Sequence, residues 1–192
     1  GETRVEYDAP DGRAWGPACT GWSPPDGGAA FVTNSLMNSV SMLDLASRQT
    51  VSTRPVGVSP LVENGPHHLA VDLAEGVLYT PLSFPATGLS SGPHAEHGSS
   101  VVPGTFIKRS LCDFRLLGAV DVDPNPGDML LSHDRRRAYV SHYDMARAIA
   151  YAGDRQGQLS NILEIDVDRM AITRRIPTCV AAHGMALSAD DR

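Results

Sequence analysis

Lysine is almost missing from this chain. Lys108 is the only one, and arginine carries the rest of the positive charge. With 22 acidic against 16 basic residues, a formal charge of -6 and no basic run, there is no stripe to follow a phosphate backbone, so nucleic acid is excluded as a partner. No apolar stretch approaches the roughly 18 residues that a helical membrane span requires. The three cysteines, Cys19, Cys112 and Cys179, form neither a C-x-x-C nor a C-x-x-C-H pattern, which rules out a zinc ribbon and covalent haem attachment within these residues. Also absent are a phosphate-binding glycine loop, a nucleophile with base and orienting acid, and a cofactor fingerprint. The opening GETRVEYDAP has neither an initiator methionine nor a signal-peptide pattern, as expected for a chain whose export segment was removed or for an excised piece.

What remains points to β structure. Eighteen glycines and 14 prolines supply turns, Val, Thr and Ser are plentiful, and 192 residues at 42 % hydrophobic can bury the core of one or two domains. The chain also repeats itself. PHHLAVDLAEGVLYT (Pro66 to Thr80) aligns without a gap to PGDMLLSHDRRRAYV (Pro126 to Val140), and AHGMALSADDR (Ala182 to Arg192) matches the first eleven positions of both. A weaker copy, PACTGWSPPDGGAAFVT, runs from Pro17 to Thr33. The copies start at residues 17, 66, 126 and 182.

Each copy reads as strand, polar turn, strand. Two further strands follow in SVSMLDLASRQTVSTRPVG and NILEIDVDRMAITRRIPT, where apolar residues alternate around Val40, Met42 and Leu43 and around Ile162, Leu163 and Ile165. Four strands in a unit of about 50 residues are the signature of a β-propeller blade. The stretch FVTNSLMNSVSMLDLASRQTVSTRPVGVSP then resembles the YVTN-type β-propeller repeat, with its aromatic-Val-Thr-Asn strand, its V-S-V-I-D strand, here Val40-Ser41-Met42-Leu43-Asp44, and its return ending in P-V-G. The similarity runs from about Trp15 onward and is strongest over Phe31 to Gly57.

The resemblance implies an all-β chain forming one partial propeller domain over residues 1–192, with about three blades and one flanking strand. Open strand edges make such a piece prone to aggregation. Proteins with this repeat include surface-layer and adhesion modules, periplasmic binding proteins and scaffolds of redox enzymes. The expected function is therefore a non-catalytic, periplasmic or extracellular scaffold that binds a protein or small-molecule ligand through one face. A propeller supporting a periplasmic redox or metal-dependent enzyme is the alternative.

The histidines identify that face. With each blade's strands labelled A to D outward from the axis, the D-to-A and B-to-C connections open on one side. His67, His68 and His183 fall at D-to-A connections, His94 and His97 in the long second-unit insertion (about 81–104), and His142 at the end of a strand B. Only His133 falls in an A-to-B turn. The expected ligand face comprises His67, His68, Asp128, His142 and His183. A copper or zinc ion is the one cofactor considered, with His67, His183, His94 and His97 as its donors. The plainer reading is polar trim at a channel mouth, since Gly127 and Ala18 occupy positions equivalent to His67. His94 and His97 lie among Gly, Ser and Pro, as a polar loop would. Asp44 and Asp166 close equivalent strands and are read as turn acceptors rather than catalytic acids. Cys179, four residues before His183, is read as structural, with Cys19 as its disulfide partner. Finally, YDMARAIAYAGDRQGQ carries an Ala-rich run able to form about two helical turns.

Overall fold

Alternation along the chain becomes a succession of antiparallel sheets in the computed structural model, which describes residues 2–5, 28–59, 64–84 and 100–191. The first sheet orders β1 (Glu2–Val5), β2 (Ala29–Asn34), β3 (Ser39–Asp44) and β4 (Gln49–Pro55) as β1-β2-β3-β4. The second follows β5 (Gly65–Pro66), β7 (Val77–Ser83), β8 (Pro103–Ser110) and β9 (Leu116–Pro124), with the short β6 (Ala70–Asp72) also paired to β7. The third orders β10 (Pro126–Leu131), β11 (Arg137–His142), β12 (Leu159–Asp166) and β13 (Ala171–Val180) in sequence. Chain order equals spatial order throughout, an arrangement compatible with successive blades of a β-propeller-like fold.

The strand beside β2 is Glu2–Val5. The weak repeat copy beginning at Pro17 lies outside the described residues as far as Gly27. The second and third sheets begin where the repeat places them, at Gly65–Pro66 and at Pro126.

Period-two alternation on the middle sheet creates two cores. Leu78, Leu82 and Ile107 point one way and pack with Phe31, Val40, Met42, Val56 and Leu69. Their neighbours Val77, Tyr79 and Phe106 point the other way and pack with Met129, Val140, Leu163 and Ile165. Tyr79 and Phe106 stack with ring centroids 6.0 Å apart. With both faces covered, β7 has no buried-exposed alternation, and six of its seven residues are buried. Arg109 ties the first two sheets together. Its guanidinium donates to the carbonyls of Val56 (3.1 Å), Gly57 (2.7 Å) and Phe114 (2.7 Å) and lies over the Phe114 ring.

The turn aspartates behave as read. Asp44 accepts from the Ala46 amide and the Ser47 hydroxyl, and Asp166 from the amides of Asp168 and Arg169. Asp72 does the same in a different turn, the one from β6 into β7, through the amides of Ala74 and Glu75. The Ala-rich run forms α1 (Met145–Ala150), capped by the Asp144 carboxylate accepting from the Arg147 amide at 2.9 Å. The expected Cys19–Cys179 disulfide does not form. Cys179 is a free, exposed thiol, whereas Cys112 is disulfide-bonded. Cys179 lies near the end of the outer strand β13, away from the buried inner strands where a structural bridge was expected.

Candidate metal centre at the inner strands

The inner strand of the second sheet breaks just where its histidines stand. β5 ends at Pro66, β6 begins at Ala70, and residues 67–69 leave the ladder. The third sheet repeats this: the β10–β11 register shifts between Pro126 and Met129, flanking Gly127 and Asp128. Such irregularities turn side chains out of the pleat. His183 follows β13 in an irregular segment, at the equivalent point of the next repeat copy.

Backbone fastening fixes the histidines in place. The hydroxyl of Thr33, next to last in β2, donates to the His67 carbonyl at 3.2 Å. Ser141, next to last in β11, donates to the His183 carbonyl at 2.6 Å. In both cases the second strand of one sheet holds the histidine of the next copy. Thr80 donates to the His68 carbonyl at 2.6 Å, and Ser141 Oγ also accepts from the Asp128 amide at 3.1 Å. These hydroxyls gave no signal of their own in the sequence, where they read as ordinary β-branched or small strand residues.

Three side chains consequently converge. Donor atoms of His67, Asp128 and His183 lie within 4.8 Å of one another, and all three residues are partly buried. His183 Nδ1 is 3.9 Å from Asp128 Oδ1. The His67 and His183 rings meet edge to face with centroids 5.0 Å apart, and Tyr143 packs edge to face on the other ring contact of His183 at 5.4 Å. Two donors about 2.0–2.2 Å from one ion would stand about 3–4 Å apart, so modest side-chain rotation closes this set around a metal. Gly127, at the offset of His67 and His183, leaves room: a Cβ there would come within 3.3 Å of Ser141 Oγ and 3.9 Å of the His183 ring.

His68 stands beside the cluster. Burial lowers its imidazole pKa, against the opposing pull of Asp128. It is therefore held toward the neutral form that accepts a hydrogen bond or ligates a metal. His142, expected on the same face, is not one of the three donors. It is 1 % exposed, its Nδ1 bonds the Asn161 carbonyl at 2.8 Å, and it lines a separate cavity. His94 and His97 lie outside the described residues. His133, in the turn between β10 and β11, meets Asp191, whose Oδ2 accepts from the His133 amide at 2.9 Å. No described helix is long and apolar enough to cross a membrane.

Comparison with known proteins gives a likeness of fold. No protein-family model matches the chain, and no curated protein matches it. Among solved structures, hydrazine synthase from Kuenenia stuttgartiensis superposes with a TM-score of 0.64 at 15 % identity, over 88 % of this chain and 46 % of that one. The chain thus spans about half the length of that protein. A putative 6-phosphogluconolactonase from Bacteroides fragilis matches more loosely, with a TM-score of 0.48 at 13 % identity over 82 % of this chain and 37 % of that one.

Proposed function

We propose that this chain is part of a YVTN-type β-propeller that serves as a binding scaffold in the cell envelope, and that it holds a divalent transition ion, copper or zinc, through His67, Asp128 and His183. The observation carrying this reading is the convergence of two imidazoles and a carboxylate from three successive repeat copies, within 4.8 Å. Imidazole suits zinc and copper, and a carboxylate supplies charge to the ion. A location outside the cytoplasm is supported by the disulfide at Cys112, because such bonds persist in oxidising compartments. The low lysine content and the repeat resemblance point the same way.

Three protein donors leave coordination positions open, which favours a second reading: a scaffold whose ion reacts with an exogenous ligand. The likeness to hydrazine synthase, an enzyme by name, is compatible with this reading but carries fold alone.

Titration with Co(II), followed by its visible d–d absorption, tests the site. A saturable one-to-one spectrum that disappears in the H67A/H183A variant is expected. An identical spectrum in wild type and variant would remove these residues from the account. A spectral change on adding azide would favour the reactive reading over the binding one.

A further inference from the structure

A second site lies beside the third sheet and is independent of the metal reading. A cavity of about 260 Å³ opens between β9, β11, α1 and β12, lined by Asp123, His142, Asp144, Arg147, Asn161 and Arg175 among others. This is just under the range of about 300–1000 Å³ typical of ligand pockets, so an occupant must be small.

Two of its polar atoms are buried without any hydrogen-bond partner: His142 Nε2 and Arg147 Nε. The tautomer of His142 follows from its other nitrogen. Nδ1 faces the Asn161 carbonyl, which can only accept, so Nδ1 carries the proton and Nε2 presents a bare lone pair. Its pKa is lowered, chiefly by burial, which keeps the ring neutral. A buried acceptor and a buried donor left unmade in one cavity are costly, and native structures rarely keep them without a ligand or ordered water.

The charges can be sorted. Asp123 is engaged at both oxygens: Asn161 Nδ2 donates to Oδ2 at 2.9 Å, and Arg175 pairs with Oδ1. That leaves Asp144 and Arg147. Asp144 uses Oδ1 to receive the Arg147 amide and, at 3.4 Å, Asn125 Nδ2. The side chain of Arg147 makes no ion pair within 4 Å among the described residues; it lies over the Tyr151 ring, 5.3 Å from its centroid, and its charge acts on Asp144 from a distance, favouring the carboxylate against the larger effect of burial. The cavity thus presents one spare carboxylate with one spare imidazole acceptor, and one spare guanidinium.

We infer that this cavity binds a small α-amino acid, its ammonium group donating to His142 Nε2 and Asp144 and its carboxylate received by Arg147. A zwitterion of that size supplies donors and an anion together, and it leaves the neighbouring Asp123–Arg175 pair intact. A simple anion would face Asp144, and a simple cation would face Arg147.

The full chain is titrated with L-alanine, and separately with propionate and ethylamine, each lacking one charged end, while NMR shifts of residues around Asn161 are followed. Saturable alanine binding is expected, at least tenfold tighter than either control. R147Q, a change on a short surface helix, should weaken it at least tenfold with unchanged circular dichroism, and H67A should leave it intact. Failure of alanine, glycine and serine all to bind, propionate or ethylamine binding as tightly as alanine, or an unaffected R147Q would overturn the inference and leave a water-filled cavity.

Discussion

The imidazole rings of His67 and His183 meet at 5.0 Å and an interplanar angle of 78°, although one follows β5 and the other follows β13. Only the stacking of successive sheets brings them together, and Thr33 and Ser141 hold them there by their carbonyls.

Ser141 is therefore expected to act on the proposed metal centre without touching it. Ser141→Ala removes the donor to His183 and the acceptor for the Asp128 amide. Groups that orient metal ligands are worth about 10–100-fold in affinity, so weakening in that range is expected by competition with a chromophoric chelator. An unchanged affinity would mean that the hydroxyl only supports the strand.

Arg109 joins the first two sheets through the carbonyls of Val56 and Gly57, and holds the β8–β9 turn of its own sheet through that of Phe114. Hydrogen bonds to a charged donor are worth about 1.5–3 kcal/mol each at most, and removing the donor strands buried acceptors. Arg109→Met should cost about 2–4 kcal/mol in urea unfolding. Lys108→Met, whose ammonium makes a single 3.3 Å bond to the Val167 carbonyl, should cost less than about 1.5 kcal/mol. Equal losses would deny Arg109 its bridging role.

Close backbone approach makes two glycines necessary. A Cβ on Gly65 would lie inside the contact limit of the Ser35 carbonyl, whose carbon would be 2.8 Å away. A Cβ on Gly104 would be 2.6 Å from the Pro126 ring and 2.8 Å from the Leu82 carbonyl oxygen. Each Gly→Ala change should destabilise by about 1–3 kcal/mol, the usual cost of overpacking. Gly153→Ala, with nothing within 4 Å but a φ of +94°, should instead lose only what backbone strain costs, about 1 kcal/mol or a little more. Thermal melts of the three variants check the order.

Acid should weaken the fold through His142. Burial, reinforced by Arg175 and opposed by the Asn161 carbonyl and Asp123, lowers its folded pKa below the ordinary value of 6.5. The unfolded chain therefore takes up the proton first as pH falls. Stability from the neutral ring is complete above about pH 6.5 and declines below it by up to about 1.4 kcal/mol per pH unit, until the folded group also protonates. Urea unfolding at pH 7.5 and 5.5 should show this slope in wild type and a shallower one in H142Q. Parallel slopes would contradict it.

Much of the fold was legible because strand repeats announce themselves by alternation and by turn residues. The boundaries at Pro66 and Pro126, the turn aspartates Asp44 and Asp166 and the short helix α1 all followed from local pattern. The site was legible in part. His67, His183 and Asp128 could be placed together because the repeat assigns them neighbouring offsets in successive copies. Two things were not readable. Nothing in the sequence separates His142 from the other histidines, because its burial depends on α1 and β12 closing over it. Nor does spacing reveal which cysteines bond, since that depends on which loops meet in space, and Cys179 lies free on an outer strand.

Elemental mass spectrometry of the purified protein after exhaustive dialysis, with H67A/H183A prepared in parallel, tests the proposed metal centre without a reporter ion. Close to one copper or zinc ion per wild-type chain is expected, with a large fall in the variant. A metal-free wild type, well folded by circular dichroism and unable to take up either ion when supplied, would contradict it.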